Sequence, residues 1–367
     1  MPSISSILQH LESYAPPAIQ ESYDNSGLIT GDKQAECTGI LCTLDATEAV
    51  VDEAHRKGAN LIVAHHPILF RGIKSIKPDN YVGRTLIRAI KEDIAIYAIH
   101  TNLDNVLQGV SGKMAAKLGL SRVKILSPAA GTLSKLYTFV PEAQLETVRA
   151  ALFAAGAGVI GNYSECGFSV SGEGTFKAGS GADPYVGAVG SRHSEKEARL
   201  EMIFPTHLSG VLTDTLKKVH PYEEVAYDIV ALSNRHPEVG SGAIGEFDQP
   251  MPVDEFLKLV SRQFRIPVIR HTSTEKALIS RVAVCGGAGS FLIHNALAAK
   301  ADAYITADIK YHEFFDDEEK MMICDIGHYE SEQFTIELLH DLLVKKFPTF
   351  AVLKSEVETS PVRYFIS

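Results

Sequence analysis

Short apolar runs alternate with amphipathic stretches along the first third of the chain. Three runs are predicted strands: GILCTLDAT, NLIVAHHP and IAIYAIHTNLD. Between and after them, three stretches carry apolar residues at helical spacing: TEAVVDEAHRKGA, DNYVGRTLIRAIKED and SGKMAAKLGL. Fully apolar strands that alternate with helices are typical of a parallel sheet covered on both faces. This part of the chain is therefore predicted to be α/β.

The same rhythm returns near the C-terminus. The predicted strands there are RVAVCGG, DAYITAD, KMMICDIGHY and TFAVLKSE, and helical patterns separate them. Between residues 127 and 238 the order changes to strand, helix, two strands, helix and strand, which is the ferredoxin-like arrangement. We therefore predict a core of two βα blocks with largely parallel sheets. Its first half is 1–126 and its second half is 239–367, interrupted by a ferredoxin-like insertion domain at 127–238.

Composition and charge narrow the functional classes. The 367 residues include five cysteines, an odd number without CxxC spacing, which favours a reducing compartment over a disulfide framework. The N-terminus does not have the pattern of a signal peptide, and the sequence has no apolar run long enough to span a bilayer. A cytoplasmic protein is expected. The net charge of −10 argues against a broad nucleic-acid interface, which needs a basic face.

Potential metal ligands follow predicted strands at three places. His65 and His66 end the run LIVAHHP, Asp104 follows AIYAIH, and His328 and Glu332 follow MICDIG at the start of a predicted helix. The carboxyl ends of parallel strands are where sites form in α/β sheets. Residues four apart on a helix share one face. The sequence therefore predicts that these five residues form one metal site.

The adjacent histidines favour two metal ions. Neighbouring residues of a regular strand point to opposite faces, so each of the two imidazoles is expected to reach a different ion. A mixed nitrogen and oxygen ligand set suits zinc, iron or manganese. Two such ions can lower the pKa of a shared water toward neutrality, which is the chemistry of a hydrolase.

Further residues are candidates for the same cleft. His100 ends a predicted strand and could be a ligand, a partner of a ligand or a substrate contact, whereas His312 follows the strand DAYITAD. Either could act as the proton donor. The turn CGGAGS (285–290) fits a tight strand-to-helix connection and an anion-binding loop about equally well, because it has neither GxGxxG spacing nor a Walker lysine.

Taken together, these motifs resemble the Nif-three-like family, whose bacterial members are often named GTP cyclohydrolase I type 2 homologs. The resemblance rests on motifs in the same order over almost the whole length: YDNSGLITGD, AHHPILF, IHTNLDN, TADIKYH and GHYESEQF. The segment between the two halves is similar to the CutA/PII-like insertion of the long bacterial members. Ala307 departs from the family pattern, which usually has glycine there.

The resemblance carries several implications. It implies a dinuclear site with His65, His66, Asp104, His328 and Glu332 as ligands and Glu332 as the bridge. It also implies a homohexamer, a trimer of dimers, whose sites face an internal cavity. The implied function is a dinuclear-metal-dependent hydrolase, with conversion of GTP and water to dihydroneopterin triphosphate and formate as the named version. A small-molecule substrate is expected. The alternative is a non-catalytic metal-binding or regulatory scaffold whose insertion domain senses a ligand.

Overall fold

The computed structural model describes residues 2–365, and the chain divides into two compact units. The first unit joins Met1–Ser127 to Glu238–Ser367, and the second unit is Pro128–Pro237. Up to the end of the first segment the elements are α1 (Ile4–Tyr14), β1 (Gly27–Thr30), β2 (Ile40–Thr43), α2 (Glu48–Arg56), β3 (Leu61–Ala64), α3 (Tyr81–Lys91), β4 (Ala95–Ala98), α4 (Thr101–Asp104), α5 (Val110–Leu118) and β5 (Ser121–Pro128). Among the described residues, no helix has the length and apolar character needed to cross a membrane.

The remaining elements follow in chain order. The second unit contains β6 (Leu133–Pro141), α6 (Leu145–Ala154), β7 (Gly167–Lys177), β8 (Arg192–Pro205), α7 (Ser209–Val219) and β9 (Tyr227–Ala231). The first unit then resumes with β10 (Gly240–Pro252), α8 (Val253–Phe264), β11 (Arg270–His271), β12 (Leu278–Ala288), α9 (Ile293–Ala298), β13 (Ala303–Ala307), β14 (Met322–Asp325), α10 (His328–Glu332), α11 (Thr335–Lys346) and β15 (Val352–Lys354).

The first sheet has the strand order β1-β4-β3-β2-β15. Strands β15, β2, β3 and β4 are mutually parallel, and only the edge strand β1 is antiparallel to its neighbour. Alternate residues of the fully buried strands serve two cores. Ile40 and Cys42 pack in a cluster with α1 and α11, whereas Leu41 packs with α2 and α3. This double burial explains why the strands are continuous apolar runs.

The second sheet has the order β11-β14-β13-β12-β10-β5. Its centre, β12, β13 and β14, is parallel, while β10 is antiparallel to β12 and β11 is antiparallel to β14. The prediction of an α/β fold is confirmed. The sheets are mixed, however, because antiparallel strands flank the parallel centres that the apolar runs predicted.

The two halves of the first unit exchange strands. The sequence rhythm placed TFAVLKSE as the last strand of the second block, but β15 pairs with β2 of the first sheet. In return, β5 from the first half lies at the edge of the second sheet, next to β10. The buried Leu339 and Leu343 of α11 also pack against the first sheet. Short parallel strands look alike in sequence, so their sheet membership is decided by long-range packing.

The second unit is a four-stranded antiparallel sheet with the order β7-β8-β6-β9. Its elements run strand, helix, strand, strand, helix, strand along the chain. Helices α6 and α7 pack on one face through Leu152 and Leu212, against Leu200 and Met202 of β8. Successive strand residues point to opposite faces, so Glu197 and Arg199 lie on the face without helices.

Candidate metal centre

The ends of three strands bring five side chains together in the first unit. His65 and His66 directly follow β3, and Asp104 ends the short helix after β4. His328 and Glu332 are the first and last residues of α10, which follows β14. β3 and β4 belong to the first sheet and β14 to the second, and the connections after their carboxyl ends meet at this site. The structure therefore assembles all five residues that the sequence singled out.

Glu332 lies at the centre of this group and divides it in two. Its Oε1 is 3.8 Å from His65 Nε2, which in turn is 3.6 Å from Asp104 Oδ1. Its Oε2 is 2.9 Å from His66 Nε2 and 3.2 Å from His328 Nε2. One carboxylate thus presents a different oxygen to each of two sets of donors, which we call the inner set (His65 and Asp104) and the outer set (His66 and His328).

Two donor atoms of the inner set have no hydrogen-bond partner among the described residues. They are His65 Nε2 and Asp104 Oδ1, both buried. A buried polar atom without a partner is costly unless something else satisfies it. The possible donor groups are His65, Asp104 and Glu332; His66, His328 and Glu332; and His65, His66 and His100. In each group the donor atoms lie within 4.8 Å of one another. The nitrogen and oxygen donors fit divalent transition metals.

Each histidine is oriented through its other ring nitrogen. His65 Nδ1 donates to the carbonyl oxygen of Ile99 at 2.8 Å. His66 Nδ1 lies 2.7 Å from Asp45 Oδ1, and His328 Nδ1 lies 2.6 Å from Asp308 Oδ2. Such partners fix the ring and leave Nε2 facing the donor cluster, as in many metal sites. Sequence reasoning missed Asp45 and gave Asp308 no role, although each lies just beyond a strand, Asp45 after β2 of the first sheet and Asp308 after β13 of the second.

Asp308 adopts an unusual backbone conformation. Its φ is +57°, in the left-handed region that aspartate tolerates better than most residues. The preceding Ala307, which stands where the family usually has glycine, is fully buried at the end of β13. The residue with the left-handed backbone is thus Asp308, and its carboxylate accepts the hydrogen bond from His328 Nδ1.

The two predicted proton donors occupy different surroundings. His100 Nδ1 lies 2.8 Å from Asp24 Oδ1, and the His100 ring is 5.3 Å from that of His65. Burial raises the pKa of Asp24, but hydrogen bonds with His100, Thr101 and Ser26 lower it overall. His312 is exposed and contacts the ring of Tyr311, and no candidate donor group among the described residues includes it. The structure thus brings His100, and not His312, to the cluster.

The histidines and carboxylates of the cluster shift each other's pKa values. Burial lowers the pKa of His66, but hydrogen bonds to Asp45 and Glu332 outweigh it and raise the value to about 10. Burial also lowers the pKa of His328, but its contacts with Glu332 and Asp308 outweigh burial and raise the value to about 9. Burial raises the pKa of Glu332, but its contacts with the histidines outweigh burial and lower the pKa overall. Burial and the charge of Glu332 raise the pKa of Asp104.

These pKa values predict proton release on metal binding. A pKa above 7 means that His66 and His328 are protonated at pH 7 in the metal-free chain, and an imidazolium must lose a proton to ligate. We expect His66 and His328 together to release about two protons per chain loaded at pH 7, and Asp104, whose pKa is raised to about 7, to add to this number. Calorimetric zinc titrations in buffers of different ionisation enthalpy measure this number. The His66→Gln variant should release about one proton fewer, and absence of proton release would contradict the assignment.

The turn 285–290 packs against this cluster. Gly287 N–H donates to Ser331 Oγ at 2.9 Å, and Thr306 Oγ1 donates to the Gly287 carbonyl oxygen at 3.1 Å. A Cβ built on Gly287 would overlap Glu332 Oε1. With its amide already bonded, this segment behaves as a tight strand-to-helix connection, and of the two alternatives the structure favours that one over an anion-binding loop.

Comparison with known proteins gives a consistent result. The chain is 38% identical over 363 residues to a Halalkalibacterium halodurans protein named GTP cyclohydrolase 1 type 2 homolog, covering 98% of each. It is also 38% identical to a Bacillus subtilis protein of the same name, covering 98% of this chain and 97% of that one. A crystal structure of a Bacillus cereus protein related to NIF3 matches with a TM-score of 0.86 and 35% identity over 99% of both chains.

The family pattern itself covers nearly the whole chain. The Duf34/NIF3 (NGG1p interacting factor 3) family matches residues 2–361. The match therefore includes all the strand-end residues that converge on Glu332. On this evidence, the chain belongs to the Duf34/NIF3 family.

Proposed function

We propose that the chain is a hydrolase that depends on two divalent metal ions, with zinc, iron and manganese as the candidates. His65 and Asp104 would hold one ion, and His66 and His328 the other, with Glu332 bridging both. The observation that carries the proposal is the position of Glu332, whose two oxygens each face a separate set of donors. A single shared carboxylate would keep two ions close enough to act on one water.

The bound ions would supply an acidified water, which is a nucleophile near neutral pH. The protein residues supply orientation and proton transfer. Asp45 and Asp308 hold the imidazoles of His66 and His328 in place. His100, oriented by Asp24 beside the cluster, is the proposed proton donor to the leaving group.

A cavity of about 440 Å³ adjoins His66 and His328, the outer set of donors, and is the proposed substrate-binding site. It includes His66 and His328, and Arg270, Tyr329 and Tyr364 also contribute to its wall. Its size lies within the range of small-molecule sites. Arg270 donates to Asp325 Oδ2 at 3.0 Å, which holds a guanidinium at the wall of the cavity. Asp45, Asp308, Asp325 and Glu330 also line this cavity, so the support for a phosphorylated substrate comes from the names of the relatives and not from the charge of the wall.

The names of the relatives suggest GTP as the substrate to test first. We expect purified protein to carry about two ions per chain after reconstitution, measured by elemental analysis, and to release formate from GTP in a metal-dependent way. Zinc, iron and manganese are tested separately, with chelator-treated protein as the control. Other phosphorylated small molecules are tested in the same way.

Each result of this experiment has a distinct meaning. Two ions with metal-dependent turnover support the hydrolase. Two ions without turnover of GTP or of any phosphorylated compound favour the alternative, a metal-binding or regulatory scaffold. Failure to bind any of the three metals would overturn the dinuclear site itself.

Three further features are proposed from the resemblance and from the sequence. The chain is proposed to act in the cytoplasm as a homohexamer, a trimer of dimers. The segment 127–238 is proposed to be a ferredoxin-like insertion domain, and its strand-helix-strand-strand-helix-strand order supports this. Light scattering of the purified protein tests the assembly, since a monomeric mass would contradict the hexamer.

A further inference from the structure

The second unit contains a cavity of about 530 Å³ that the proposed hydrolase does not use. It lies on the face of the sheet that is free of helices, over β7 and β8. The segment after α7 and the connection between β7 and β8 also contribute to its wall, through Tyr222 and Tyr185. Every residue that lines it belongs to Pro128–Pro237, so the cavity is complete within this unit.

Four aromatic rings line the cavity. The Tyr222 ring is 6.1 Å from that of Phe176 and 6.1 Å from that of Tyr185, measured between centroids. Phe139 also contributes to the lining. Aromatic faces bind apolar groups and also attract cations through the negative potential of their π-systems. The wall therefore suits a ligand with an apolar body and a positive group.

A buried carboxylate lies in the same cavity. Glu197 on β8 is only 8% exposed, and Tyr222 Oη donates to its Oε1 at 2.8 Å. Across residues 2–365, no other hydrogen bond and no lysine or arginine ion pair is found for this carboxylate. A carboxylate so far removed from water is stabilised when a positive group reaches it.

The neighbouring basic side chains do not neutralise Glu197. Tyr222 N–H donates to His220 Nδ1 at 3.1 Å, so the proton of His220 is on Nε2, which donates to the Phe139 carbonyl oxygen at 3.0 Å. Burial lowers the pKa of His220, which keeps the ring neutral. Arg199 is paired with Glu201 at 3.1 Å. Both side chains thus already have their partners.

The balance of charge in the cavity wall is negative. Its lining contains four glutamates and one arginine, and that arginine is the Arg199 already paired with Glu201.

The neighbouring strand β7 has a glycine, Gly174, next to the Glu197 carboxylate. A Cβ built on Gly174 of β7 would overlap Glu197 Oε2, although the backbone of Gly174 is not in the left-handed region. Glycine at 174 therefore leaves the space that the Glu197 carboxylate occupies.

We propose that this cavity binds a small organic amine, with its ammonium group at Glu197 and its apolar body against the rings of Phe176, Tyr185 and Tyr222. The ammonium group would take the place beside the carboxylate that no side chain fills. The aromatic faces would contribute both apolar contact and cation–π attraction. No residue of the metal centre lines this cavity, so the proposal does not depend on the proposed hydrolase function.

Three probes with the same phenylethyl body and different charge test the proposal on the full chain. They are phenethylamine, 2-phenylethanol and 3-phenylpropionate, titrated by calorimetry and by ligand-observed NMR at low salt. We expect the amine to bind about 10- to 100-fold more tightly than the alcohol, the range of a charge-assisted contact, and the carboxylate to bind weakest. Equal affinity of amine and alcohol, or no binding of any probe, would overturn the proposal.

Substitutions locate the contact. Glu197→Gln keeps an oxygen for Tyr222 but removes the charge, so amine affinity should fall to that of the alcohol. Gly174→Ala should weaken the amine similarly, by displacing the carboxylate. The control is Glu146→Gln, since Glu146 pairs with Arg149 outside the cavity. Thermal melts verify folding of each variant. A folded Glu197→Gln protein that retains wild-type amine affinity would exclude Glu197 as the contact.

Discussion

Replacing Glu332 with glutamine is expected to remove both metal ions from the protein. One carboxylate serves both donor sets, with Oε1 toward His65 and Oε2 toward His66 and His328. The neutral amide has one oxygen and one N–H₂ group, so it cannot bridge two cations. Even the loss of an outer partner of a metal ligand costs about 10- to 100-fold in affinity. The loss of this shared ligand should exceed about 100-fold for both ions.

Elemental analysis after reconstitution, together with zinc titration, measures this effect. The matched control is Glu337→Gln on α11, since Glu337 pairs with Lys113 and Lys117 and belongs to none of the donor groups. Its metal content should equal that of the wild type. A Glu332→Gln protein that keeps one ion at wild-type affinity would show that Glu332 is a ligand of one site only.

The second large effect is expected from Gly287→Ala, which adds a single methyl group beside the metal centre. The new Cβ would overlap Glu332 Oε1 and would lie 3.2 Å from His328 Nε2. In addition, φ at this position is +62°, which costs a non-glycine residue about 1–2 kcal/mol. We expect at least about a tenfold loss of metal affinity, because ligands must be held within about 0.5 Å of their productive positions.

Gly119→Ala separates the two causes. Gly119 follows α5 with φ of +74°, and a Cβ there meets nothing within 4 Å. It should therefore show the backbone cost, about 1–2 kcal/mol in denaturant unfolding, with unchanged metal content. If Gly287→Ala lowers stability no more than Gly119→Ala and binds metal normally, the turn at Gly287 does not shape the site.

The main site residues could be predicted from the sequence for a local reason. Buried parallel strands are short apolar runs, and their ends are visible where the apolar pattern stops. His65, His66 and Asp104 each stand just beyond such an end, and His328 and Glu332 are spaced for one helical face. The rule that parallel strands present their carboxyl ends at one edge of a sheet brings His65, His66 and Asp104 together in the first sheet, whereas tertiary packing brings His328 and Glu332 to them from the second sheet.

The supporting residues could not be predicted in the same way. Asp45 and Asp24 also stand at or near strand ends, but nothing local distinguishes an aspartate that holds His66 or His100 from one that faces solvent. The turn at Gly287 was also ambiguous, because a glycine-rich connection can either bind an anion or allow a side chain to pack closely against the backbone. Only the neighbouring Glu332 and Ser331 decided between the two.

The sequence by itself determined the α/β class, the parallel strands at the sheet centres and the strand ends that carry the candidate ligands. Each of these features depends on residues that are close together in the chain. The tertiary structure alone decided three other features. It placed β15 in the first sheet and β5 in the second. It divided the donors between the two oxygens of Glu332, and it brought Glu197 and four aromatic side chains to the wall of one cavity. These features depend on packing between residues far apart in sequence, which no local pattern of apolar and polar positions encodes.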